Sequence, residues 1–111
     1  MIEMIIKNFL DTHLSVSAFL EKSGDMPKSY VLFEKTGSSK SNHLLSSTFA
    51  FQSIAPSMYE AATLNEELKN VVEQLITLDE ISAVSLNSDY NFTDTETKQY
   101  RYQAVFDIKH Y

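Results

Sequence analysis

Three histidines, His13, His43 and His110, carry the only side chains of this chain that ordinarily gain or lose a proton near neutral pH, and there is no cysteine. None of the three has a partner His or Cys three or four positions away, the spacing that places two ligands on one helix face, so the sequence offers no metal site. A Ser/His/Asp hydrolase needs a serine on a strained turn flanked by glycines, and no Gly-x-Ser-x-Gly occurs. Adjacent carboxylates such as Glu66 with Glu67, or Asp79 with Glu80, point in different directions on a helix surface and read as a solvated face rather than an acid–base pair. Two isolated glycines, Gly24 and Gly37, supply no phosphate-cradling loop. The expectation is a protein that is not an enzyme and takes no metal or cofactor.

One cluster has unusual composition. Leu86-Asn-Ser-Asp-Tyr-Asn-Phe-Thr-Asp94 followed by Tyr100-Arg-Tyr-Gln103 crowds tyrosines, an arginine and amides into one expected hairpin. Tyrosine and arginine are enriched at protein contacts because they bring large area and a directional polar tip. Tyr90, Lys98, Tyr100, Arg101 and Tyr102 are therefore the candidate protein-interface residues. The competing reading makes Tyr90, Phe92, Tyr100 and Tyr102 cross-strand pairs that fill the domain's own core; it suits Arg101 less well, since arginine is seldom buried in a monomer.

The elements that must position these residues are legible from periodicity. Residues 100–111 alternate strictly, with Tyr100, Tyr102, Ala104, Phe106 and Ile108 on one face and Arg101, Gln103, Asp107 and Lys109 on the other, interrupted by Val105, which is the pattern of a half-buried antiparallel strand. Ile2, Ile5, Ile6, Phe9 and Leu10 form the stripe of a short amphipathic helix that Asp11 and Thr12 should interrupt. Val16 to Leu20 predicts a short strand, Ser23 to Pro27 a turn, and Ser29 to Lys35 a strand buried on both sides at its centre and ending at Thr36-Gly37. Gly37 to Asn42 then reads as a mobile polar loop, and His43 to Ile54 as a second long strand closed by Pro56. Ser57-Met-Tyr-Glu60 has the form of a capping box, starting a helix that runs to about Leu78 with Ala61, Leu64, Leu68, Val71, Val72, Leu75 and Ile76 inward. Ile81 to Asn87 alternates as an extended arm, and Asp94 to Thr97 is its turn into the final strand. The predicted fold class is α+β: an antiparallel β-sheet with an N-terminal helix and one long central helix packed on it, in a single domain spanning 1–111.

A chain of 111 residues can bury a real core without staples. Nine basic against fifteen acidic side chains give a formal charge of −6, which repels phosphate backbones, so sequence-specific nucleic-acid binding is not expected. Lys35, Lys40 and Lys98 are scattered, with no interleaved aromatics of the kind a single-strand platform needs. No stretch has the length of a membrane span, and the first residues lack the basic and apolar regions of a signal peptide; an intracellular product is expected.

Asn87 to Tyr111, together with Val31-Leu-Phe-Glu-Lys-Thr-Gly37 and Ala50-Phe-Gln-Ser-Ile-Ala-Pro-Ser57, resembles the tail terminator, or tail-to-head joining, proteins of long-tailed bacteriophages and prophages of Gram-positive bacteria, often labelled minor capsid proteins. The resemblance runs over essentially the whole chain, is most specific in the final twenty-five residues and is least distinct over residues 11–26. It implies a hexameric ring that caps the completed tail tube, ends tube polymerisation and presents the face that joins the head; six weak contacts made together would let a subunit that is monomeric when dilute form such a ring on a tube template. The implied partners are further copies of the chain, the tail tube protein, the head–tail connector and genomic DNA passing through without sequence-specific contact. The implied location is the virion tail, after synthesis in the host bacterial cytoplasm. The net charge adds the expectation of an acidic lumen. Alternatives are a head-completion or connector protein one interface nearer the portal, and a small intracellular dimeric protein-binding module.

Overall fold

A computed structural model describes all of residues 1–111. Helix α1 (Ile2–His13) runs through Asp11 and Thr12 instead of breaking there. Both residues are used locally: Lys7 Nζ reaches Asp11 Oδ2 one turn on at 2.7 Å, and the Thr12 hydroxyl donates to the Asn8 carbonyl at 2.8 Å. The other Asp11 oxygen accepts from the Ala18 N–H at 3.0 Å, so the residue predicted to end the helix instead ties it to the next strand. That strand, β1 (Ala18–Phe19), is shorter than the sequence suggests.

Strands β2 (Tyr30–Ser41) and β3 (Leu44–Ala55) form a long antiparallel hairpin. The polar segment read as a loop is the distal half of β2, carried past a register shift between Lys35 and Gly37. Only Asn42 and His43 turn the chain, with φ of 51° and 68°, the paired positive angles of a two-residue turn whose twist matches the strands it joins. Serine-rich composition misled here because strand pairing satisfies the backbone whatever the side chains are.

Ser57 caps α2 (Met58–Glu73): its hydroxyl accepts from the Glu60 N–H at 3.2 Å and lies 2.9 Å from the Glu60 carboxylate. The helix tightens into a 3₁₀ turn (Gln74–Thr77) before reaching Leu78, and the change of pitch leaves Ile76 49% exposed where the α-helical stripe would bury it. Strands β4 (Ile81–Asn91) and β5 (Tyr100–His110) complete the sheet in the order β1-β2-β3-β5-β4. Four long strands alternate antiparallel as predicted, whereas β1 joins β2 in parallel, so the sheet is mixed. A register shift between Ile81 and Ala83 overturns the simple alternation expected for β4 and brings Ile81, Val84 and Leu86 opposite His110, Ile108 and Phe106.

The two helices share one face of the sheet. Phe33, Phe49, Phe51 and Phe106 pack beneath them with ring centroids about 6 Å apart, joined by Ile6, Leu10, Leu68 and Leu75. This aromatic layer anchors the strand centres, and the opposite sheet face carries no helix.

Candidate protein interface

The helix-free face is built by the alternate residues of four strands. Register places Phe92, Arg101, Ile54 and Tyr30 in one row across it and Tyr90, Gln103, Gln52 and Leu32 in the next. The second row is bonded side chain to side chain: Gln52 Nε2 donates to Gln103 Oε1 at 3.0 Å, and Gln103 Nε2 donates to the Tyr90 hydroxyl at 2.5 Å. Further along, Asp107 accepts from the Thr48 hydroxyl at 2.7 Å and from Asn87 Nδ2 at 3.1 Å. Cross-strand bonds of this kind fix rotamers in advance, so a partner meeting this face orders few side chains.

Arg101 closes the aromatic end of the face. Its guanidinium lies 4.8 Å from the Phe92 ring centroid, Nε donates to the Phe92 carbonyl at 2.7 Å and Nη1 to Gln99 Oε1 at 2.8 Å. Tyr90 and Phe92 meet edge to face and remain 41% and 40% exposed. Tyr30 sits at the far end of the same row, its hydroxyl pushed up by burial against the opposing pull of the Arg101 charge.

The five candidate residues thus do not form one patch. Tyr90 and Arg101 face the helix-free side. Tyr100 and Tyr102, opposite Ala55 and Ser53, face the helix side half-buried, and Lys98 sits in the turn with φ of 56°. Lys98 and Tyr100 do meet, with Asn91, Thr93 and Met58, around a groove of about 490 Å³ between the hairpin and the start of α2. Asp94 holds that hairpin: its carboxyl is drawn below the ordinary 3.8, first by a hydrogen bond from the Thr97 side chain and then by the N–H groups of Thr97 and Glu96.

Two polar constellations escape a sequence reading. Asn65, only 3% exposed on the apolar side of α2, donates Nδ2 to Asp89 Oδ1 at 2.7 Å, and Lys69 Nζ reaches Asp89 Oδ2 at 2.5 Å and also Glu66. These hydrogen bonds, to Asp89 first and Glu66 second, raise the Lys69 pKa. The network fastens edge strand β4 to α2. The second constellation is Ser47 Oγ, 2.8 Å from His110 Nε2, both buried. Ser47 lies on a central strand, His110 has no hydrogen bond to a carboxylate, and the pair closes the floor of a cleft of about 370 Å³ that Met1, Leu45 and Tyr111 line. With Ser47 1% exposed, the hydrogen bond satisfies two buried polar groups and ties β3 to β5. Ser47 alternates with Phe49 and Phe51 and His110 with Phe106 and Ile108, which was the available signal, and it needed the β3–β5 register to be read. No three His, Asp or Glu side chains converge as metal ligands, and no helix is long and apolar enough to cross a membrane.

No protein-family model matches the chain, and no curated protein is significantly similar to it in sequence.

Proposed function

We propose that this protein is a structural subunit of a phage or prophage tail: a ring-forming terminator that caps the completed tail tube, stops its polymerisation and offers the surface that meets the head. It acts without catalysis, through contacts with its own copies, the tube protein and the connector, while DNA passes through the ring. The observation that carries the reading is the helix-free sheet face, running the length of four long strands with its polar side chains already bonded to each other and Tyr90 and Phe92 exposed beside the half-buried Arg101. Such a face suits repeated contact between rigid subunits. The resemblance of residues 87–111 to tail terminators supplies the biological setting.

Termination is then geometric. One face of the ring imitates a tube subunit and binds the last tube ring, while the other accepts no further tube protein. Six weak contacts made together hold a ring that single contacts would not, so a dilute monomer can still cap a tube that acts as template. Adding the purified protein to polymerising tail tubes should shorten them and leave density at one end in electron micrographs. Tubes that continue to lengthen with bare ends would refute the proposal.

A further inference from the structure

The two edges of the sheet differ in charge and are open along similar lengths. The free stretch of β2 carries Lys35 and Lys40 against Glu34, whereas the β4 edge carries Asp89, with Asp79 and Glu80 just before it, and no basic side chain. β2 and β4 lie on opposite sides of the sheet. β1 covers β2 only as far as Leu32, so from Phe33 to Ser41 the outer edge of β2 has no partner strand, and β4 has none along its whole outer edge. Each free edge offers about 30 Å of backbone at ~3.3 Å per residue.

The backbone groups on these edges are aimed consistently. The Val31 N–H bonds outward to the Ser17 carbonyl, so Phe33 and Lys35 also face outward; in a two-residue hairpin the residues flanking the turn bond to each other, which leaves Ser38 and Lys40 outward as well. On the other edge the Glu80 carbonyl accepts from the Tyr111 N–H, which turns Ile81 outward, and Phe92 donates inward to Arg101, which turns Asp89 and Asn91 outward. β2 and β4 run in opposite directions within one copy. A second copy set beside the first with its helices on the same face therefore presents β4 antiparallel to β2, with outward groups meeting outward groups.

We infer that neighbouring copies join by pairing the β2 edge of one with the β4 edge of the next, continuing the sheet around a ring. This rests on the ring reading above and names its lateral contact. In the unshifted register Lys40 falls beside Ile81 and the exposed Asp79 and Glu80, and Lys35, which within its own copy reaches Glu3 at 3.6 Å, falls beside Leu86, 46% exposed. Charge favours the unlike pairing, since Asp79, Glu80 and Asp89 meet no basic side chain on a second β4 edge. A contact between two different edges propagates head to tail, and it closes when each step adds a fixed rotation. The bulges in both edge strands sharpen the local twist and supply such a rotation.

The test uses sedimentation velocity and electron microscopy of the full chain, from dilute to near-millimolar concentration and with tail tubes added. Wild type should pass from monomer to closed ring. Lys40→Pro, which removes an outward N–H without touching the β2–β3 pairing, should stay monomeric with its circular-dichroism melt retained. Should that variant unfold, the charge series decides. The pair Lys35→Glu with Lys40→Glu, and the pair Asp79→Lys with Glu80→Lys, should each raise the concentration for ring formation at least about tenfold, and all four together should restore it. Rings that form equally well in every variant overturn the edge contact and leave the ring reading standing. Rings unaffected by the lysine changes but weaker in retaining DNA would overturn it too, giving the basic edge to phosphate instead. A wild type that is a fixed dimer, or monomeric even with tubes, overturns the ring reading itself.

Discussion

Asp89→Ala tests whether the polar bridge between α2 and β4 holds the sheet's acidic edge in place. Asp89 accepts from Asn65 at 2.7 Å and from Lys69 at 2.5 Å. Hydrogen bonds to a charged group contribute about 1.5–3 kcal/mol, and stranding a buried amide costs about 1–3 kcal/mol. Asn65 is already short of one partner, since its Oδ1 has none, so losing Asp89 leaves the whole amide unpaired in the core. Allowing for the partial exposure of Asp89 and Lys69, the loss should come to about 3 kcal/mol. With an unfolding entropy of about 2.1 cal/mol/K per residue over 111 residues, that lowers the melting temperature by roughly 10–15 °C. Calorimetry gives the shift, and urea denaturation gives the free energy. Asn65→Leu in the Asp89→Ala background should recover at least about 1 kcal/mol, because an apolar side chain of similar size needs no partner. A single variant within about 0.5 kcal/mol of wild type, or no recovery in the double, would refute the idea that this network carries stability.

His43→Gly should stabilise the protein by about 0.5–1 kcal/mol in urea denaturation, since glycine adopts the left-handed conformation without the steric cost that His43 bears at φ 68°. Ser57→Ala should lose about 1 kcal/mol by the same measurement, with Ser57→Gly losing only a few tenths. Arg101→Ala should loosen the 94–99 turn, seen as faster amide exchange at Gln99 and Phe92, while core amides of β3 exchange as before. The Asp94 carboxyl is lowered in the folded state, so its contribution is complete above 3.8 and is lost only as pH falls through its lower folded value; the Thr97 amide resonance should titrate with a midpoint below 3.8.

The strands and helices were legible where side-chain pattern and burial coincide. Phe49 and Phe51 face the helices as their parity predicts, and the Ser57 to Glu60 box starts α2 where it should. Pattern failed where the backbone alone sets the outcome. Gly37 to Ser41 is strand because β3 lies alongside, and Ile81 shares a face with Val84 because a bulge resets the count. β1 falls within the short strand expected over Val16 to Leu20, but its parallel pairing was not legible because a parallel partner needs no local hairpin signal. At the candidate interface, the exposed Tyr90 and the turn residue Lys98 were readable. The inward use of Arg101 on Phe92, the burial of Asn65 and the tie between Ser47 and His110 join residues distant in sequence, and only the register reveals them.

A strand later in sequence lies between two earlier ones: β5 separates β3 from β4. During synthesis β4 can reach α2 through Asp89 but has no strand to pair with until residues 100–110 bridge it to the hairpin. Contacts such as Leu45 with His110 make this closure a long-range, late event, so folding should be slow and nearly all-or-none. An unfinished chain would present no paired β4 edge, so under the proposed edge contact it would fail to join a ring at all instead of joining it defective.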